Sequence, residues 1–395
     1  MSPRCTRTLV AGAVTLGIGL FAALPSAMSA SAATTTGMPT IKAHHALYDV
    51  GVHSDVTRAE AASATASFGF THYTASVKVG GKSYTYTIAG KNPAVKTSNP
   101  ASTITAELIP VIIKVSGTGL SWDPTKKDSC DSGASALSRV QNSPIVKSTS
   151  FSFGGTKIGT VQATNAFQRA EFWKYAQPSG INPKFGVTLN FKTLKPITIS
   201  VPTSQAAGIP ISCGNGNVVA VNIKYLDAKL RKVLPSLKSQ GVNSSTFPFF
   251  LVHNAVEYVG TASNCCVLGY HSAFNPSGGV QTYGIGDYDN SGTFGAAFQD
   301  VTAMSHEVAE WQNDPSGVNP TPAWGHTGQV TNCQKNLEVG DPLTGNVYNV
   351  NLNGFTYHPQ ELAFFSWFYH QTPSLGVNGW YSDQGTFKTP AKACS

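Results

Sequence analysis

The sequence predicts an α+β protein in which a β-rich N-terminal half precedes a mixed sheet that carries one functional helix. Three observations predict it. Short alternating apolar runs bounded by glycine dominate as far as Pro202, which is the mark of half-buried strands. After Pro202 the order becomes strand, helix, three strands, helix. The last of those helices concentrates His and Glu in a chain that has only 20 Asp and Glu among 395 residues.

Taken in order, Arg4 and Arg7 precede an apolar run from Leu9 to Leu24, then Pro25 and the small residues Ala30-Ser31-Ala32-Ala33. This is the layout of a signal peptide over 1–33, with an apolar run short for a membrane span. The chain is therefore expected to be secreted and extracellular. No later stretch reaches spanning length, so no membrane contact is expected after cleavage. Cys130, Cys213, Cys265, Cys266, Cys333 and Cys394 follow the leader, an even set that favours disulfides in an exported chain. The adjacent Cys265 and Cys266 are expected to reach different partners. Paired C-x-x-C spacings are absent, which excludes a thiolate metal site. The formal charge is +7, with Lys scattered rather than clustered, so there is no nucleic-acid footprint.

Length favours two domains, 34–202 and 203–395, or one elaborated domain. In the first, Tyr73 to Val79 and Ser83 to Ile88 flank Gly80-Gly81 as a hairpin. Thr105 to Val115, Phe151 to Ile158 (broken at Gly154-Gly155), Val187 to Phe191 and Ile197 to Val201 read as strands, and Ala163 to Ala176 as a helix. In the second, Val218 to Ile223 is a strand and Leu226, Leu230, Val233 and Leu237 recur at helical spacing. Phe249 to Tyr258, Cys265 to Ala273 and Val280 to Ile285 read as strands. Ala296 to Asn313 reads as a helix that ends before Pro315, and Pro359 starts another through Phe368.

The chemistry lies in His306-Glu307-Val308-Ala309-Glu310. At about 100° per residue, His306, Ala303, Glu307, Glu310 and Asp314 share one side of the helix, with Val301, Met304, Val308 and Trp311 opposite. His306 and Glu310 stand one turn apart and can reach one cation, with Glu307 beside it. This is the layout of the H-E-x-x-H zinc helix with Glu310 in the second histidine's place. Zn²⁺ is the first choice, although one His with two carboxylates also suits Mn²⁺ or Ca²⁺. A third ligand is expected from Glu338 or Asp341, Glu338 slightly favoured, the other orienting His306. Glu307 is the general base of a hydrolysis, and His271, Tyr283 or His326 the donor that stabilises the oxyanion. His326 is also a weaker ligand candidate, Asp314 a helix-end group and His253 a core histidine. Asp287, Asp289 and Ser291 before Gly292 form a partial Ca²⁺ loop, with Phe298 where the bidentate Glu belongs.

The segment from Ser305 to Pro315 resembles the H-E-x-x-E-x-x-x-D-P signature of a group of exported bacterial proteins and is distantly similar to the exordium, or phosphate-induced, family. The element order from Pro202 also resembles the zincin metallopeptidase fold. That resemblance implies a zincin-like domain with His306 and Glu310 as ligands, Glu307 as base and Val280 to Ile285 as the edge strand that aligns a peptide. A secreted zinc endopeptidase acting on a protein or peptide substrate is the expected function. The rival is a non-enzymatic exported cell-wall or surface binding protein with a structural metal.

Overall fold

The computed structural model describes residues 37–49, 56–57, 68–275 and 279–394. The expected signal peptide, 1–33, lies outside the described residues. Among the described residues no helix is long and apolar enough to cross a membrane. The strands in chain order are β1 (Leu47–Asp49), β2 (His72–Val79), β3 (Lys82–Ala89), β4 (Ala101–Val115), β5 (Ser121–Trp122), β6 (Thr149–Phe153), β7 (Thr156–Val161) and β8 (Gly186–Thr193). They continue with β9 (Ile197–Val201), β10 (Ala206–Pro210), β11 (Asn217–Asn222), β12 (Thr246–His253), β13 (Ala255–Tyr258), β14 (Cys265–Phe274), β15 (Gln281–Tyr288), β16 (Pro320–Thr327) and β17 (Val330–Asn336).

One mixed sheet of 11 strands runs β10-β11-β13-β14-β15-β12-β4-β5, with β1 added to β14 and both β8 and β9 added to β4. It takes strands from both sides of Pro202, so the change of sequence pattern there falls inside one sheet. β12 lies parallel to both β4 and β15. All eight of its residues are buried, as expected of a strand covered on both faces. β2 and β3 form a separate hairpin, and Gly80 and Gly81 take φ of 56° and 80°, the left-handed pair that a tight primed turn requires.

The Ile223–Val233 helix covers one face of the sheet, burying Leu226 and Leu230 against Val219, Val221, Phe250, Val252 and Ile285. The Thr302–Asn313 helix, the site helix, covers the other through Met304, Val308 and Trp311. Trp311 stacks on Phe247 at 3.9 Å between ring centroids, and its indole N–H donates to Thr282 Oγ1 at 2.9 Å. Gly269 brings this helix close, because a Cβ there would lie 3.0 Å from Glu307 Cγ and 2.8 Å from the Ile285 carbonyl.

Several expectations are corrected. β15 is not an edge strand, since β14 pairs with it on one side and β12 on the other. The run from Phe249 to Tyr258 divides into β12 and β13 at Asn254, whose φ is 48°. The segment after Pro359 is helical only over Phe365–Phe368, since Gln360 to Ala363 instead satisfy their backbone with Ser305, Asn346, Asp383 and Val339. Cys265 and Cys266 bond each other across a cis peptide that brings their Cα atoms to 3.0 Å, and the remaining pairs are Cys130–Cys213 and Cys333–Cys394.

Candidate metal centre

The site helix is buried on every side. Its apolar side packs on the sheet, and its His and Glu side faces the segment from Leu337 to Leu343 and Gln360. The helix ends at Asp314, where Pro315 cannot continue it. The Asp314 carboxylate accepts the Val318 N–H at 3.0 Å and the Asn319 N–H at 2.6 Å. It is a helix-end group, and burial raises its pKa to about 7.

His306 is held in one tautomer. Gln360 donates its amide N–H to the Gly340 carbonyl, so its Oε1 is the acceptor that faces His306 Nδ1 at 3.1 Å. Nδ1 therefore carries a hydrogen, and Nε2 faces Glu310 Oε1 at 3.1 Å and Asp341 Oδ1 at 3.6 Å. This is the arrangement of a ligand histidine whose other nitrogen is fixed by a polar partner. Gly340 makes it possible, because a Cβ there would lie 2.3 Å from His306 Nδ1. Asp341 is oriented in turn by amide N–H groups of Gln329 and Gln334.

His271 mirrors this from β14. Its Nε2 lies 3.1 Å from the Asp314 carbonyl, which can only accept, so Nδ1 is the unprotonated nitrogen. Nδ1 faces Glu307 Oε2 at 3.3 Å and Glu310 Oε2 at 3.6 Å. Two groups of three potential ligands result: His306 with Glu310 and Asp341, and His271 with Glu307 and Glu310. Glu338 is wholly buried, has no hydrogen bond on either carboxylate oxygen, and lies with Oε2 4.0 Å from His271 Nε2. Asp341, rather than the favoured Glu338, therefore stands with His306 and Glu310.

Among the described residues no Lys or Arg pairs with Glu310, Glu338 or Asp341. Burial, then the charges of Glu310 and its neighbours, pushes Glu338 well above the usual carboxylate range and Asp341 up to about 6. For Glu310 burial again works upward, but His306 and His271 outweigh it and hold the carboxyl low. Burial opposes charge on His306 as well, yet Glu310, Asp341 and Glu307 raise it well above the ordinary histidine value. His271 is lowered, chiefly by burial. The cluster is thus an anionic pocket that only protons or cations can neutralise.

Tyr48 closes it. The phenol ring stacks on His306 at 3.7 Å between centroids, and Gln329 brackets the Tyr48 backbone, accepting its N–H at 2.8 Å and donating to its carbonyl at 2.9 Å. β1 brings Tyr48 there by pairing parallel to β14 at Leu47 with Val267 and Asp49 with Tyr270. The Tyr48 hydroxyl is buried without a hydrogen-bond partner.

The other expected residues lie elsewhere. Tyr283 projects from the opposite face of the sheet, donating its hydroxyl to Asp227 and accepting from Arg231 Nε at 3.0 Å; alternation along β15 turns it away from the site helix. His326 is exposed and bonds the Thr331 carbonyl at 2.7 Å, and its neighbours Cys333 and Cys394 are tied up as a disulfide. His253 is a buried histidine facing Asn290 at 3.0 Å. In the Asp287 segment, Asp289 Oδ1 accepts the Ser291 N–H and Ser291 donates to Thr293 as in an Asx-rich turn, while Asp287 Oδ1 accepts the Ala255 N–H and its Oδ2 is buried without a hydrogen-bond partner. Sequence reasoning missed Tyr48, Gln329, Gln334 and Gln360, none of which stands in a motif. No family model, curated protein or solved structure matches this chain.

Proposed function

We propose that this chain is an exported, zincin-like metal-dependent endopeptidase, zinc being the ion that best suits the H-E-x-x-E helix. The observation that carries the reading is His306 Nε2, a buried ring nitrogen fixed toward the carboxylates of Glu310 and Asp341 at 3.1 and 3.6 Å. His306, Glu310 and Asp341 would hold the ion, which supplies Lewis-acid chemistry, polarising a carbonyl and acidifying water. Glu307, one residue along the helix, takes the proton of the attacking water and delivers it to the leaving amine. His271 Nδ1 lies 3.3 Å from Glu307 Oε2. Tyr48 stacks on His306 from β1, which pairs with β14, so peptide entry in this reading calls for β1 to leave β14.

Complete burial of the cluster favours a second reading, a closed structural metal in an exported binding protein. Incubating a metal-loaded chain that starts at Thr34, and its Tyr48→Gly variant, with a pool of quenched fluorescent peptides separates the two. Cleavage by either protein, lost in Glu307→Ala while its metal is retained at His306, supports the peptidase. Bound metal without cleavage in both supports the structural role.

A further inference from the structure

The motif accounts for one cation, while the cluster holds two groups of three potential ligands. We infer a second divalent-cation site formed by His271 Nδ1, Glu307 Oε2 and Glu310 Oε2, with Glu310 bridging it to the ion held by His306 and Asp341.

Three features lead there. His271 offers an unprotonated nitrogen to two carboxylate oxygens at 3.3 and 3.6 Å, because its other nitrogen is committed to the Asp314 carbonyl. A lone pair and two carboxylate oxygens facing one another inside a protein need a proton or a cation among them. Glu310 presents Oε1 to His306 and Oε2 to His271, the two-handed use of one carboxylate that bridges ions about 4 Å apart in paired metal sites. Glu338 is an independent sign: it is fully buried, has no hydrogen bond on either oxygen and sits 4.0 Å from the His271 ring. Glu310, Glu338 and Asp341 carry three negative charges when ionised, more than one divalent ion neutralises, and among the described residues no Lys or Arg pairs with them. One imidazole with carboxylates suits Zn²⁺ or Mn²⁺ at both positions.

The second site has a regulatory consequence that rests on the proposed peptidase reading. An ion there takes Glu307 as ligand and removes it from base duty, so the first equivalent of metal activates and the second inhibits.

The test is a Mn²⁺ titration of the chelator-stripped mature chain, with stoichiometry from equilibrium dialysis and electron paramagnetic resonance of the loaded protein. Two equivalents with an exchange-coupled signal are expected, falling to one uncoupled equivalent in His271→Ala. A single uncoupled equivalent in the wild type, lost in His306→Ala and unchanged in His271→Ala, overturns the second site and leaves the proposed metal reading standing. No bound ion overturns both. The wild-type stoichiometry and signal decide the matter even if a variant fails to fold.

Discussion

Replacing Gly340 by alanine isolates the position of the His306 ring. Gly340 has φ −87° and ψ −36°, a conformation open to any residue. Its N–H to Glu310 Oε1 and its carbonyl to Gln360 survive the change. The added methyl, however, would lie 2.3 Å from His306 Nδ1 and 2.5 Å from Cε1, where ordinary contact begins at 3.4 Å. The imidazole or the loop must therefore retreat by about 1 Å in a closely packed interior. Disturbing the groups that orient a metal-ligating histidine costs about 10- to 100-fold in metal affinity, so a fall of about that size is expected. Metal-free stability should also fall. Overpacking costs about 1–3 kcal/mol, offset by the roughly 0.4–1 kcal/mol gained when alanine narrows the unfolded ensemble. Chelator competition gives the affinity, and urea unfolding of the metal-free chain gives the stability. Unchanged affinity with raised stability would mean that His306 is not a ligand whose position matters, and the argument would fail.

Gln360→Leu should weaken metal binding by about 10- to 100-fold, because His306 Nδ1 loses its acceptor at 3.1 Å; Gln360→Glu, which keeps an acceptor, should restore much of it in the same competition assay. Tyr48→Gly should speed metal loss to a chelator, since the ring stacked 3.7 Å from His306 is removed, and an unchanged rate would show that β1 does not guard the site. In the metal-free chain, Asp341 raised to about 6 and Asp314 raised to about 7 by burial favour the protonated folded state. Such groups bind more protons folded than unfolded, so stability declines as pH rises from about 4 toward 7. His306, also raised, adds stability that is lost at higher pH, while the lowered Glu310 works in the opposite sense. The unfolding midpoint without metal is thus expected to be higher at pH 5 than at pH 7.5, and saturating metal should narrow or reverse that difference; a metal-free midpoint that rises with pH would contradict it.

The sequence made the site helix legible because its two periodicities coincide: a rare His and Glu side and an apolar Met304, Val308 and Trp311 side share one 3.6-residue repeat. The β2–β3 hairpin was legible for a similar reason, with Gly80-Gly81 marking the turn between alternating runs. Long-range pairing was not. β8 and β9 read as consecutive strands, yet both pair with β4, at Ala101 to Leu108 and at Val111 to Val115, which local alternation does not encode. The zincin-like element order implied an edge position for Val280 to Ile285 that pairing with β14 and β12 rules out, and Tyr283 stayed among the catalytic candidates because the face a strand residue occupies depends on what covers each side. His271 carried a readable hint in Gly269, two residues earlier on the same face, where a missing side chain admits Glu307. The glutamines that fix His306 and Asp341 carried none, since Gln329, Gln334 and Gln360 reach the site through tertiary contacts alone.

The central claim is that this buried cluster of histidines and carboxylates is a metal centre. Elemental analysis by inductively coupled plasma mass spectrometry of the purified exported chain, beside folded His306→Ala and Glu310→Ala variants, tests it most directly. Divalent metal in at least molar amount, reduced in His306→Ala and absent from Glu310→Ala, is the expected result; a folded wild-type chain that carries no metal and takes up none from a metal-containing buffer would contradict it.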